Sequence, residues 1–214
     1  MQAPKLIVFD VNETLLELRS LRTSVGRALN GRDELFSLWF AMVLHYSLVD
    51  TLTNDYHDFG QIGTAILSMV AEARGIESNS DEASRCIIDT IARLPAHADV
   101  IPGLRALAAS GYRIVSLTYS SNKRVTAQLE FAGLTSLFER RFSVEDVRAF
   151  KPDPRTYRWV LNEIGIQPEE AMMVAAHARD LAGARDQDLW RWKSSPAPLS
   201  RILTSTLSKI SPGL

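Results

Sequence analysis

The sequence predicts an α/β protein, a parallel sheet covered by helices and interrupted once by an inserted all-helical segment. Three observations carry that prediction. A short apolar run, LIVF at 6–9, ends abruptly in Asp10. Residues from about 19 to 94 then show helical periodicity and no strand, and from Ile101 onward strand-like and helix-like stretches alternate. Alternating β and α implies parallel strands with right-handed crossovers. Consecutive helices without an intervening strand imply a separate unit inserted into that core.

Residues 6–9 are β-branched, aromatic or aliphatic without strict alternation, as a parallel strand covered on both faces should be. Asp10 then stands at the strand's carboxyl end, where loops leaving a parallel sheet form a ligand crevice. There a carboxylate can serve as nucleophile, metal ligand, general base or simple turn cap. Residues 24–29 are weakly helical and stop at Asn30 and Gly31. Leu35, Leu38, Trp39, Met42, Val43 and Tyr46 recur at three and four, giving an amphipathic helix. After a break at 54–60, Ile62, Ile66, Met69, Val70 and Ala73 keep the same period up to Gly75. Ser80, followed by Asp81 and Glu82, is placed to cap a further helix whose Ile87, Ile88 and Ile91 face inward.

In the second half, Pro102 starts a helix that Gly111 ends, and 113–117 reads as a buried strand delivering Thr118 to its tip. A helix over 121–132 stops at Gly133, and a short strand follows around 141–144. Lys151 and Pro152 precede a helix over 155–164 ended by Gly165; 171–175 is a strand, with Asp180 after a short loop. Beyond Asp186, DLWRWKSSPAPLSRILTS offers tryptophans, serines and prolines without a clear strand. The expected organisation is a core of residues 1–14 and 99–190 and a helical insert of 15–98. Residues 191–214 are open between an exposed arm, a partner-binding segment and an unstructured tail.

Composition bounds the function. The 214 residues are 46% hydrophobic and 23% charged, with net charge -1 and a pI near 6.4. Such a chain can bury a sizeable core, and no global field draws it to nucleic acid or an anionic membrane. The single cysteine, Cys86, cannot form an internal disulfide, and its helical setting predicts buried packing. The opening residues lack the basic-then-apolar build of a secretion signal. The apolar stretch 35–49, interrupted by Ser37, His45 and Ser47, reads as short for a bilayer span. The expectation is a soluble cytoplasmic protein without nucleic-acid or membrane partners, nucleotide-binding glycine loop or Cys/His metal cluster.

Asp10, Thr118, Lys151 and Asp180 all fall at strand tips, which converge in a parallel sheet. In that arrangement Lys151 can pair with Asp10, Thr118 can donate to a substrate anion, and Asp180 can orient water or Lys151.

At these residues the sequence resembles the haloacid dehalogenase superfamily, and within it the type II 2-haloacid dehalogenases. FDVNETLLEL is similar to the family's nucleophile motif, SLTYSSNKRV to its second motif, KPDPRTY to its lysine motif and VAAHARD to its final acidic motif. The resemblance runs from Lys5 to about Asp186. It implies a Rossmann-like core carrying a helical cap, a homodimer, and hydrolysis of a small 2-haloacid without metal or cofactor. In this reading Asp10 is the nucleophile, Lys151 its partner, Thr118 a holder of the substrate carboxylate and Asp180 the residue of the hydrolytic step. The matched positions place Asn12, Tyr119, Leu44, Phe59, Tyr157, His177 and Arg179 around the substrate. Phosphatases of the superfamily carry an aspartate where this chain has Asn12, and an amide cannot protonate a leaving alcohol; general acids contribute about 10²–10⁴ in rate.

The chain also departs from the pattern. Phe40 stands where the cap should offer an arginine to the halide, Tyr119 replaces an asparagine, and Ala175 a serine. His177 replaces an asparagine and Arg179 a tryptophan. Arg179 or His177 is placed to restore the missing positive charge. Two other readings stand beside the dehalogenase: a magnesium-dependent phosphatase, and a catalytically weak member acting by binding or assembly.

Overall fold

The structure, a computed structural model, describes residues 4–77 and 80–193. Its sheet contains β1 (Leu6–Phe9), β2 (Arg113–Thr118), β3 (Arg140–Ser143), β4 (Ala171–Ala175) and β5 (Trp190–Lys193). All neighbours are parallel, in the order β3-β2-β1-β4-β5. The first strand is central, which explains its unbroken apolar run: every residue of LIVF is buried. Phe9 lies in register with Ser116 on one side and Val174 on the other. The chain therefore leaves β1, β2 and β4 at one edge, the edge that carries Asp10.

Helices α1 (Arg19–Ala28), α2 (Phe36–Thr53), α3 (Phe59–Ala73) and α4 (Ser80–Ile91) pack on one another between β1 and the rest of the core. Asn54, at φ 57°, ends α2, and Asp58 with Gln61 forms a reciprocal capping box that starts α3. Backbone bonds join the segments entering and leaving this cap, Glu17 N–H to Pro95 O at 2.8 Å and His97 N–H to Leu15 O at 3.0 Å, and Phe150 N–H of the core donates to Thr51 Oγ1 of α2 at 3.0 Å. A further tie comes from Arg124, whose guanidinium pairs with the Asp58 carboxylate. In the core, α5 (Val100–Ala109), α6 (Asn122–Phe131), α7 (Pro154–Ile164) and α8 (Ala178–Asp186) cover the sheet. Among them, α8 packs on α7. A Cβ at Gly183 would stand 2.6 Å from Tyr157 Oη and 2.8 Å from Pro152 Cβ, so glycine permits that approach.

Several sequence expectations need correction. Cys86 is exposed rather than buried: it lies at the rim of the contact between α1 and α4, its Sγ 3.3 Å from Ser24 Oγ, with Ile87 and Ile91 turned in. The stretch after Asp186 does form a strand, β5, at the sheet edge; its tryptophan-rich pattern hid it, since an edge strand needs no continuous apolar run. Residues 194–214 lie outside the described residues, as do the side chains of Ser80 and Asp81. The first cap helix starts at Arg19 rather than 24, and α5 starts at Val100, with Pro102 in a first turn where an N–H has no intrahelical partner. Helical backbone over Asp33–Thr53 exceeds the expected 35–49, and by length and composition alone it could cross a membrane. Its Trp39, Val43, Leu44 and Ser47 are nevertheless buried against the rest of the protein.

Candidate active site

Asp10, Lys151 and Asp180 meet where β1, the loop after β3 and α8 converge. Asp180 sits in the first turn of α8, not in the preceding loop, where the helix's unpaired N–H groups favour a carboxylate. Lys151 Nζ lies 2.8 Å from Asp10 Oδ1, 3.0 Å from Asp180 Oδ2 and 3.1 Å from Leu117 O. Every N–H of the ammonium thus has an acceptor, and all three side chains are buried. Burial pushes the lysine's pKa down, but the charges of Asp10 and Asp180 and their hydrogen bonds outweigh it, so Lys151 titrates above an ordinary lysine. For Asp180 burial is the largest influence and Asp10 adds repulsion. Together they overcome the pull of Lys151 and raise the carboxyl above its ordinary value.

The second oxygen of Asp10 is held by Thr14, a residue that sequence reasoning passed over. Thr14 Oγ1 donates to Asp10 Oδ2 at 2.6 Å and accepts from Ala176 N–H at 3.0 Å. Its signal was present: a hydroxyl four residues after the carboxylate, within the same nucleophile motif. Glu13, also unremarked, adopts a left-handed φ of 67° and meets His177 Nε2 at 3.1 Å. The hydrogen bond from His177 holds the Glu13 carboxyl below its ordinary range.

The remaining expected residues separate into those that line the cavity and those behind it. Asp10, Asn12, Lys151 and Asp180 line it from the core, joined by Tyr119, His177 and Arg179; Phe40, Leu44 and Phe59 close it from the cap. Its volume is ≈ 20 Å³, room for about one water. Two larger clefts, ≈ 490 and ≈ 390 Å³, flank α1 near Ser24, Arg27 and Cys86, and neither gathers a buried charged group. Thr118 and Tyr157 stand behind the wall. Thr118 Oγ1 accepts from Ser120 N–H at 3.2 Å and shapes the β2 tip. Tyr157 donates to Asp180 O at 2.9 Å and so fixes the start of α8.

Asn12 is committed on both sides of its amide. Its Oδ1 accepts from Gln128 Nε2 at 2.9 Å and its Nδ2 donates to Ser120 Oγ at 3.3 Å. Tyr119 donates its hydroxyl to Lys151 O and packs its ring edgewise on Phe59 and Phe150. Phe40 stacks on Phe36, with ring centroids 5.7 Å apart, and lies 6.0 Å from the His177 ring. It brings no charge.

A parallel α/β sheet with a helical cap over a buried Asp–Lys–Asp cluster beside the strand ends is an arrangement in which a carboxylate can serve as nucleophile. The family model for haloacid dehalogenase-like hydrolases matches residues 4–188, and the chain belongs to that family. It is similar to (S)-2-haloacid dehalogenase 1 of Pseudomonas sp. (strain CBS-3), 31% identical over 86% of this chain and 81% of that protein. Among solved structures, L-2-haloacid dehalogenase from Xanthobacter autotrophicus superimposes with a TM-score of 0.82 at 28% identity, covering 98% of this chain and 85% of that one. The same enzyme with chloropropionic acid covalently bound also gives 0.82, with the same coverage and 27% identity.

Proposed function

We propose that this protein hydrolyses small 2-haloacids to 2-hydroxyacids through an ester formed on Asp10. The observation that carries the reading is a buried carboxylate oriented on both oxygens, by Lys151 and by Thr14, at the base of a cap-covered cavity. Asp10 attacks the halogen-bearing carbon. A C–O bond forms, the C–halogen bond breaks, and the halide leaves with the electron pair. A water that gives one proton to Asp180 then attacks the ester carbonyl carbon; the bond from that carbon to the 2-hydroxyacid oxygen breaks, the departing alkoxide takes the proton back from Asp180, and the water's other proton is lost to solvent as the Asp10 carboxylate is restored. Halide departs without a proton, so an amide at position 12 is no handicap to the first step. Leu44 and Phe59 form the apolar wall. The relatives support the substrate class and the (S) configuration, and the covalently bound chloropropionic acid of one of them supports the ester.

Halide release from chloro-, bromo- and fluoro-substituted acetates and propionates, with EDTA present, tests the proposal. Release that resists EDTA, favours (S)-2-chloropropionate and disappears in Asp10→Asn is the expected result. Folded protein releasing no halide from any acid of the set would overturn it.

The proposal includes a homodimer in the cytoplasm. Leu38 and Leu52 of α2 and Met69 of α3 are exposed apolar side chains of the cap that a second copy could cover. Light scattering at micromolar concentration should give twice the chain mass, and fractionation should leave the protein with the soluble material. A monomer, or a membrane-bound pool, contradicts the respective part.

A further inference from the structure

The proposed reaction asks the cavity to accept a substrate carboxylate beside the Asp10 carboxylate and then to release a second anion. Like charges brought together in a dry site repel strongly unless a cation is at hand. Among the described residues, the basic side chains lining the cavity are Lys151, His177 and Arg179. Lys151 has none of its N–H donors left for a ligand, since Asp10, Asp180 and Leu117 O take them. His177 already faces the Glu13 carboxylate at 3.1 Å, so any charge it gains is matched. The cap contributes Phe40, which is stacked on Phe36 and uncharged.

Arg179 differs from all of these. It is half-buried in the first turn of α8, next to Asp180, and forms no ion pair with a described residue. Tyr119 lines the same cavity and gives its hydroxyl proton to Lys151 O. A guanidinium presents a fork of donors suited to carboxylates and other anions.

We infer that Arg179 is the anion receptor of this cavity and binds the charged end of the substrate or the departing halide. This inference rests on the proposed function for its substrate, but its test needs no turnover. The consequence is a relocation of charge. In this chain the cation comes from the core helix that also carries Asp180, whereas the cap presents only hydrocarbon to the anion.

The test is calorimetric titration of the full chain with propionate, which has the carboxylate and no leaving group, and with bromide, which has the charge alone. Wild type should bind at least one of them. Arg179→Gln should weaken that binding about tenfold or more, a loss of about 1.4 kcal/mol. Arg179→Lys should recover part of it. Loss confined to propionate assigns Arg179 to the carboxylate, and loss confined to bromide assigns it to the halide. Binding of both anions by folded Arg179→Gln as tightly as by wild type would overturn the inference, as would a wild type that binds neither. A wild type that binds propionate through Arg179 yet releases no halide would uphold it while removing the proposed activity.

Discussion

From the core come Asp10, Lys151 and Asp180, with Thr14, Tyr157 and backbone groups holding them in place; from the cap come Phe40, Leu44 and Phe59, held by packing. The two halves are stabilised by different physics. In the core, each charged group depends on a particular partner at hydrogen-bond distance, so the loss of one strands another. In the cap, neighbouring hydrocarbon can relax, and its ties to the core include the half-buried Arg124–Asp58 pair, the hydrogen bonds of Phe150 N–H to Thr51 and of Gln128 to Ile91 O, and the packing of Phe59 on Tyr119. Chemistry therefore resides in the half that tolerates change least.

The largest expected effect follows from removing the central cation. Lys151→Met leaves two buried carboxylates facing each other, and breaking a buried pair costs about 3–5 kcal/mol. Urea denaturation should show a loss of that order, recovered in part by adding Asp180→Asn. A loss below about 1 kcal/mol would mean that the cluster is not the organising feature of the core.

Next comes the approach of α8. Gly183→Ala drives a methyl into Tyr157 and Pro152, for which overpacking costs about 1–3 kcal/mol. Because α8 carries both Asp180 and Arg179, turnover should fall as well. Unchanged stability and turnover would show that α7 and α8 are less closely registered than described.

The pH dependence sharpens the same contrast. In the proposed reaction ester hydrolysis uses ionised Asp180, whose pKa is raised above 3.8 by burial and by Asp10. Activity should therefore rise with pH through a midpoint above 3.8. The raised Lys151 keeps the cluster charged until pH passes above 10.5, so no alkaline loss from that group is expected below it. In stability the sign of the lysine contribution is the same: it is complete below 10.5 and declines as pH climbs through the folded value. An acid midpoint at or below 3.8 would take the hydrolytic step away from Asp180.

The smallest effect belongs to the link between the halves. Arg124→Ala removes the partner of Asp58 at the start of α3, where both side chains are partly exposed, and should cost less than about 1 kcal/mol. A larger loss would mean that cap and core are coupled more tightly than this pair implies.

The contrast also explains what the sequence disclosed. Asp10 was legible because an apolar run ends in it; Lys151 and Asp180, in the loop after β3 and the first turn of α8, were legible because segments that leave the carboxyl ends of parallel strands converge there. Resemblance, rather than periodicity, singled out Leu44 and Phe59, since a leucine or phenylalanine on a helix looks alike whether it faces a ligand or a neighbour. Thr14 was overlooked because a threonine within a turn has many uses, and its link to Ala176 spans the whole core. The pairing of Glu13 with His177 and the committed amide of Asn12 likewise depend on distant residues. Edge strand β5 was illegible for a simpler reason. A strand paired on one side needs less apolar pattern than LIVF in the centre of the sheet.

The most direct test of Asp10 as nucleophile is a single turnover in ¹⁸O-labelled water, with enzyme in excess over 2-chloropropionate. If the ester forms, the first 2-hydroxypropionate released carries an unlabelled oxygen taken from Asp10, and the label appears in the Asp10 carboxylate. Labelled product with an unlabelled Asp10 would mean that water attacks the carbon directly, and would contradict the account.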